Sequence, residues 1–119
     1  MAPQLQLLRE IEQCVRRAHK KGVARFNVLN ADGTPSVRCN VRFSGSLGYL
    51  VIFTWLDGEQ PQAVDSLGLI ALFMDPIQKQ VGKTGMAATK VRSEYDGPPG
   101  GQKMWHHAYE VKPGVVANA

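Results

Sequence analysis

The side chains that come closest to a binding chemistry lie on one alternating segment of the sequence. Arg38, Asn40 and Arg42 are each separated by a single residue, so in a strand all three project from the same face. Arginine presents a rigid fork of N–H donors that matches the oxygens of a phosphate or carboxylate, and two such forks favour an anion. The alternative is that these residues are simply the solvent side of a half-exposed strand.

The overall charge points to the same class of partner. The 119 residues carry a formal charge of +4 and a pI near 9.3, which favours contact with phosphate groups, nucleic acid or an acidic protein. This length and an ordinary apolar content fit one domain over residues 1–119, for which a dimer interface would add stability. The basic residues from Arg16 to Lys21 suit the negative end of a helix dipole, and a phosphate-binding patch is the alternative there.

The sequence predicts no metal site and assigns no catalytic residue. His106 and His107 are neighbours that point to opposite faces of a strand, and Cys14 and Cys39 are too few and too far apart for a disulfide framework or a CxxC site. We expect Cys39 to be a buried, unreactive thiol. We also expect a reduced, cytoplasmic location, because the sequence shows neither a secretory signal nor a run long enough to span a bilayer.

The spacing of apolar residues predicts the elements that position these side chains. Residues 5–21 have helical periodicity, and Gly22 follows as a stop. From Val23 the period changes to two, giving a strand over 23–29, a turn over 30–35 and a returning strand that alternates from Val37 to Phe43. The apolar run from 49 to 55 predicts a central strand.

The second half of the sequence predicts three more strands. The short apolar run 69–74 is interpreted as a fourth strand, residues 80–92 as a fifth, and residues 103–112 as the last. A loop is expected over 96–102 and a frayed tail over 113–119. Residues 57–61 break the strand pattern, and residues 62–67 fit either a short helix or a loop. The prediction is therefore an α+β domain in which a helix precedes a mostly antiparallel barrel or strongly curled sheet over 23–112.

The order of these elements resembles the split β-barrel of pyridoxamine 5′-phosphate oxidase-like flavin-binding proteins. The segment from Asn30 to Arg38 is similar to the family's turn and second strand, and the segment from Tyr49 to Thr54 is similar to its third. Trp105, Tyr109, Val111 and Pro113 resemble its aromatic closing strand. The resemblance implies a six-stranded split barrel that binds FMN at a homodimer interface.

The resemblance also implies roles for particular residues. Arg38 would hold the FMN phosphate with Thr54 as a hydroxyl partner, while Trp105 of the partner subunit would flank the flavin or the substrate. Arg42 and Asn40 share the face of Arg38 and fit the chemistry without matching a motif position. One departure is that residues 55–66 contain no Lys or Arg, although the family usually places a cation shortly after the third strand.

Two functional hypotheses follow. The first is a homodimeric, FMN-binding oxidoreductase-like protein in which the cofactor performs the electron or hydride transfer. The second is a cofactor-free bacterial or phage accessory protein whose basic sheet face binds an acidic protein or nucleic acid. Binding of RNA or single-stranded DNA by an OB-like barrel is a third reading, although Phe26, Phe43 and Phe53 are expected in the core rather than beside the arginines.

Overall fold

The described part of the chain forms two helices and five strands. The computed structural model describes residues 3–45, 48–56, 61 and 63–113. The elements follow in the order α1 (Pro3–Lys21), β1 (Val23–Leu29), β2 (Pro35–Phe43), β3 (Tyr49–Trp55), α2 (Ala63–Val81), β4 (Met86–Asp96) and β5 (Met104–Pro113). The α+β class expected from the sequence is confirmed.

The strands form one antiparallel sheet in the order β1-β2-β3-β5-β4. The strict alternation of β2 fixes its register because a slip by one residue would expose its apolar side chains. Cys39 lies between Phe26 of β1 and Phe53 of β3 in that register. β3 is the middle strand, as its continuous apolar sequence predicted.

Helix α1 packs against β1, β2 and α2 through the stripe that its sequence predicted. Ile11, Cys14, Val15 and Ala18 are each at most 1% exposed. The helix ends at Lys21, and Gly22 follows with a φ of 96° and an N–H bond to the carbonyl of Ala18. Gly22 therefore provides the left-handed stop that the sequence indicated.

The expected fourth strand is wrong, because residues 69–74 lie inside α2. The buried residues over 65–81 of α2 are Ser66, Ile70, Phe73 and Ile77, which repeat at intervals of three and four rather than two. Burial of these side chains against the sheet stabilises the helix by more than Pro76 destabilises it, although proline normally ends a helix. Of residues 57–67, the structure describes only part, and α2 occupies it from Ala63 onward.

The strand expected over 80–92 is partly wrong. Gln80 and Val81 end α2, and β4 begins only at Met86. The described residues thus contain five strands instead of six. They form an open sheet with β1 and β4 at its edges, so the predicted closure into a split barrel is not confirmed. The loop expected after β4 is present between Asp96 and Met104, whereas residues 114–119 of the expected tail lie outside the described residues.

Both helices lie on the same side of the sheet, so the molecule has two layers with the core between them. The core contains a dense aromatic group in which Phe73 of α2 packs against Phe26 and Phe53. The buried hydroxyls of Ser66 and Tyr109 lie 2.7 Å apart and link α2 to β5. Neither described helix has the combined length and apolarity of a membrane span.

Candidate functional site on the helix-free sheet face

Within the described residues, helices cover one face of the sheet and leave the other face free. Paired residues on neighbouring strands point to the same side, so the registers assign each strand residue to a face. We define the helix-free face by these residues: Arg25, Asn27, Arg38, Asn40, Arg42, Leu50, Ile52, Thr54, Arg92, Glu94, Asp96, His106, Ala108, Glu110 and Lys112.

Three arginines occupy the β1–β2 half of this face. Arg25 lies opposite Asn40, which places it diagonally between Arg38 and Arg42; the three are called the arginine cluster below. Diagonal neighbours in an antiparallel pair are roughly 7–8 Å apart, within reach of long side chains. No carboxylate of the described residues lies within 4.0 Å of any of the three guanidinium groups. The cluster is therefore an uncompensated concentration of positive charge.

The opposite half, on β5 and β4, contains both signs of charge already paired. Arg92 lies 2.8 Å from Glu94 and 3.6 Å from Asp96. Lys112 lies 2.6 Å from Glu110 on β5. Because these charges satisfy one another, the electrostatic attraction of the helix-free face comes mainly from the arginine cluster.

Three side chains, those of Thr54, His106 and Asp96, form a hydrogen-bonded row that crosses the helix-free face from β3 to β4. The Thr54 hydroxyl lies 3.0 Å from Nδ1 of His106, and Nε2 of His106 lies 2.9 Å from a carboxylate oxygen of Asp96. In a neutral ring protonated on Nε2, that N–H donates to Asp96 while Nδ1 accepts the Thr54 proton. The order resembles a hydroxyl–imidazole–carboxylate relay. Thr54 is only 8% exposed, however, so the row presents no accessible nucleophile. Its immediate effect is to fix the imidazole on the helix-free face, two strands away from Arg38.

Asn40 lies near the centre of the arginine cluster with an unsatisfied amide oxygen. Its Oδ1 is buried and has no hydrogen-bond partner among the described residues. A buried acceptor without a donor costs on the order of 1–3 kcal/mol, and such exceptions call for a functional or structural explanation. Asn40 follows Arg38 by two residues, precedes Arg42 by two and is opposite Arg25, so its side chain projects from the strand face that carries the cluster.

The structure brings together four of the five residues singled out in the sequence. Arg38, Asn40, Arg42 and Thr54 share the helix-free face, and Arg38 is directly opposite Thr54. Trp105 is opposite Trp55 on the other face and packs against the core. Within one chain, Trp105 therefore cannot contribute to a site built around Arg38.

Sequence analysis missed Arg25, His106 and Asp96 as members of this surface. Arg25 was detectable, because it alternates with the buried residues of β1 and the hairpin register follows from the turn. His106 and Asp96 were not, since their proximity depends on β5 inserting beside β3. The prediction that His106 and His107 point to opposite faces is confirmed: His107 is buried on the covered face, 4.9 Å from Trp55 between ring centroids.

All aromatic residues of the strands lie on the helix-covered side. The sequence has nine Phe, Trp and Tyr residues, of which Phe73 belongs to α2 and the other eight belong to strands. The registers place every one of those eight opposite a residue of the covered face. The helix-free face thus offers no Phe, Trp or Tyr ring on which a base or a flavin could stack.

The two thiols and the Tyr49 hydroxyl belong to side chains buried in the core and do not lie on the helix-free face. Burial raises the pKa of Cys14 to about 11 and also raises the pKa of Cys39, so both free thiols are protonated and unreactive, as expected for Cys39. The Tyr49 hydroxyl lies 2.7 Å from Nδ1 of His19, and burial raises the pKa of Tyr49 to about 12. No group of three metal-ligating side chains occurs in the part of the chain that the structure describes.

Comparison with known proteins returned no matching family model, no matching curated protein and no matching solved structure.

Proposed function

We propose that this chain is a cofactor-independent binding protein whose helix-free face binds an acidic polypeptide segment. The observation that carries the proposal is the sidedness of the sheet. The arginine cluster lies uncompensated on the face without helices, while the strand aromatics are on the other face. A surface that attracts anions but offers no Phe, Trp or Tyr ring suits carboxylates carried on a peptide.

The composition beside the cluster supports a polypeptide rather than a nucleic acid. Leu50 and Ile52 of the central strand lie next to the arginines and are half-buried in the isolated chain. Single-stranded nucleic acids are usually held by aromatic stacking as well as by charge. Apolar residues flanked by guanidinium groups instead fit a segment in which Asp or Glu alternates with aliphatic side chains.

A titration with defined probes tests this function. The ¹⁵N-labelled protein is titrated with a 12-residue peptide alternating Glu and Leu, the same peptide with Lys for Glu, and a single-stranded oligonucleotide. We expect amide shifts on β1, β2 and β3 with the acidic peptide only, weakening steeply between 50 and 300 mM salt. Shifts confined to the helices, or equal affinity for the Lys peptide, would contradict the proposal.

A pair of triple variants gives the matched control. Arg25→Gln, Arg38→Gln and Arg42→Gln together should weaken binding of the Glu peptide by roughly a hundredfold or more, because each charge-assisted contact contributes about 1.5–3 kcal/mol before screening. Arg9→Gln, Arg16→Gln and Arg17→Gln remove the same charge from the exposed side of α1 and should change it less than threefold.

FMN binding is the second candidate, and one observation favours it. Arg38 and Thr54 are directly opposite on β2 and β3, as a shared phosphate contact requires. In this alternative the chain is a flavin-dependent oxidoreductase with a split-barrel homodimer. An FMN titration followed by absorbance and fluorescence decides between the two functions: a spectral shift that Arg38→Ala removes and Lys21→Ala retains supports the flavin. A colourless protein with no shift excludes it.

We also propose a cytoplasmic location. Cys14 and Cys39 are both free and buried, which suits a reducing compartment. Thiol counting on protein purified directly from its native cells tests this proposal, and a disulfide or a blocked thiol would oppose it.

A further inference from the structure

β4 is a long edge strand whose outer side is unpaired in the described structure. It contains 11 residues, and those from Thr89 to Tyr95 are all exposed. Val91 and Tyr95, four residues apart on this strand, are each 49% exposed, so two apolar side chains of the edge are in contact with solvent. Exposed edges are sites at which a second chain adds a strand, and proteins normally protect them.

The side chains of this edge strand are complementary to those of a second copy of the strand that runs antiparallel to it. Around Ser93, the residues in order are Lys90, Val91, Arg92, Ser93, Glu94, Tyr95 and Asp96. Each position before Ser93 carries a cation or an apolar group, and the position at equal distance after it carries an anion or an apolar group. We propose that two copies of this chain dimerise by antiparallel pairing of β4 with β4 across a two-fold axis at Ser93.

The two-fold axis makes every contact occur twice. Arg92 of each copy is opposite Glu94 of the other, and Val91 of each copy is opposite Tyr95 of the other. Opposite-charge and aromatic–β-branched pairs are among the cross-strand pairs that stabilise antiparallel sheets. An isologous contact of this kind closes at two copies, whereas a heterologous contact of β4 with β1 of another copy would leave an unpaired edge at each end.

The existing contacts of β4 are compatible with this pairing. Arg92 and Glu94 share the helix-free face and form a 2.8 Å ion pair within one strand, with about half of each side chain exposed. Both can therefore contact the partner without losing a buried interaction. A bulge at Val91, which has no partner residue on β5, places Lys90 on the opposite face from Asp96. The pairing is therefore centred on residues 92–94, with Val91 and Tyr95 at its two ends.

The other edge is less suited to self-pairing. β1 has seven residues, and α1 packs along it. Its charged residue Arg25 would be opposite Asn27 or another Arg25 in the central registers, so it gains no ion pair. Pairing through β4 instead gives a ten-stranded sheet, twice the five strands of one chain, with an arginine cluster toward each outer end. This dimer does not depend on the proposed function, because the helix-free face stays uncovered.

Light scattering and oxidative cross-linking test the dimer. The purified chain should have twice its 13.1 kDa mass. Ser93→Cys should form an intermolecular disulfide, since residues opposite each other in antiparallel strands have Cα atoms about 4.5–5.5 Å apart. Thr89→Cys is the matched control: it is also exposed on β4, but its two copies would be roughly 26 Å apart. A monomer, or cross-linking of Thr89→Cys as readily as Ser93→Cys, overturns the proposal.

A charge reversal separates edge pairing from a general effect on folding. Arg92→Glu alone and Glu94→Arg alone each place like charges opposite one another twice, and each should raise the dimer dissociation constant roughly tenfold or more. The double variant exchanges the two charges and should restore dimerisation. Failure of the double variant to restore it, with an unchanged circular dichroism spectrum, contradicts the pairing.

Discussion

At the scale of single residues, two glycines with positive φ differ in whether an added Cβ would fit. Gly48 begins the approach to β3 with a φ of 99°, and a Cβ built there would collide with the carbonyl of Val111. Gly22 also has a positive φ, of 96°, but a Cβ there would meet nothing within 4 Å. Substitution of Gly22 therefore tests only the cost of the positive φ, whereas substitution of Gly48 tests that cost together with a steric collision.

We expect Gly48→Ala to lower the free energy of unfolding by about 3 kcal/mol or more, because the backbone of β5 must move in addition to the strained φ. Gly22→Ala should lower it by only about 1–2 kcal/mol, the cost of the left-handed conformation. Urea denaturation measures both values. Equal losses would show that β5 does not pack closely against Gly48.

The second residue-scale prediction concerns pH. His107 is 4% exposed between Trp55 and Trp105, and burial, assisted by the charge of Lys90, lowers its pKa below the ordinary 6.5. The unfolded chain therefore takes up the proton first as pH falls through 6.5, so the native state loses stability in acid. The loss attributable to this ring is at most about 1.4 kcal/mol per pH unit.

His107→Phe keeps a flat ring in the same packing and removes the titration. Its free energy of unfolding should change less between pH 7 and pH 5 than that of the unaltered chain, as measured by urea denaturation at pH 7, 6 and 5. His106→Gln is a comparison at the neighbouring position on the other face. An equal pH slope in His107→Phe and the unaltered chain would contradict the assignment.

At the scale of elements, the sequence predicted those parts whose pattern is local. Helix α1 and the β1–β2 hairpin were predictable because their stripe, alternation and turn lie within about twenty residues. Helix α2 was not, because the run from Leu69 to Met74 is too short to distinguish a period of two from one of 3.6 and is followed by Asp75-Pro76. Only the burial of Ser66, Ile70, Phe73 and Ile77 on the sheet reveals its helical period.

The same distinction between a local pattern and the strand order explains which residues of the candidate site were predicted. Arg38, Asn40 and Arg42 were predicted together because one strand carries them, and Thr54 joined them through the resemblance. His106 and Asp96 depend on β5 lying between β3 and β4, a choice of strand order that no local pattern specifies.

Pro76 gives the element-scale prediction. A proline inside α2 leaves the carbonyl four residues earlier, that of Leu72, without its helical N–H donor. Pro76→Ala should therefore raise the free energy of unfolding by about 1–3 kcal/mol. Gly68→Ala, which enters the same helix where a Cβ meets nothing within 4 Å, should raise it by only about 1 kcal/mol. Thermal and urea unfolding measure both, and a loss of stability in Pro76→Ala would show that the proline itself is required for the packing of α2.

At the scale of the whole molecule, the two faces of the sheet serve different ends. The covered face holds the aromatic core and sets stability, whereas the helix-free face concentrates like charges that the fold does not neutralise. Three cations on adjacent strands repel one another, and this repulsion is screened by salt. A surface that is kept despite such a cost is more simply explained by binding than by folding.

The arginine cluster should therefore oppose stability while supporting binding. We expect the triple variant Arg25→Gln, Arg38→Gln and Arg42→Gln to be more stable than the unaltered chain by roughly 0.5–1 kcal/mol at 20 mM salt, and the difference to vanish near 1 M salt as the repulsion is screened. Urea unfolding at the two salt concentrations measures this difference. The α1 variant Arg9→Gln, Arg16→Gln and Arg17→Gln removes equal charge from exposed positions that neighbour the carboxylates Glu10 and Glu12, so it should gain no stability. If the sheet variant instead loses stability at both salt concentrations, the arginines serve the fold, and the acidic polypeptide loses its strongest support as the ligand.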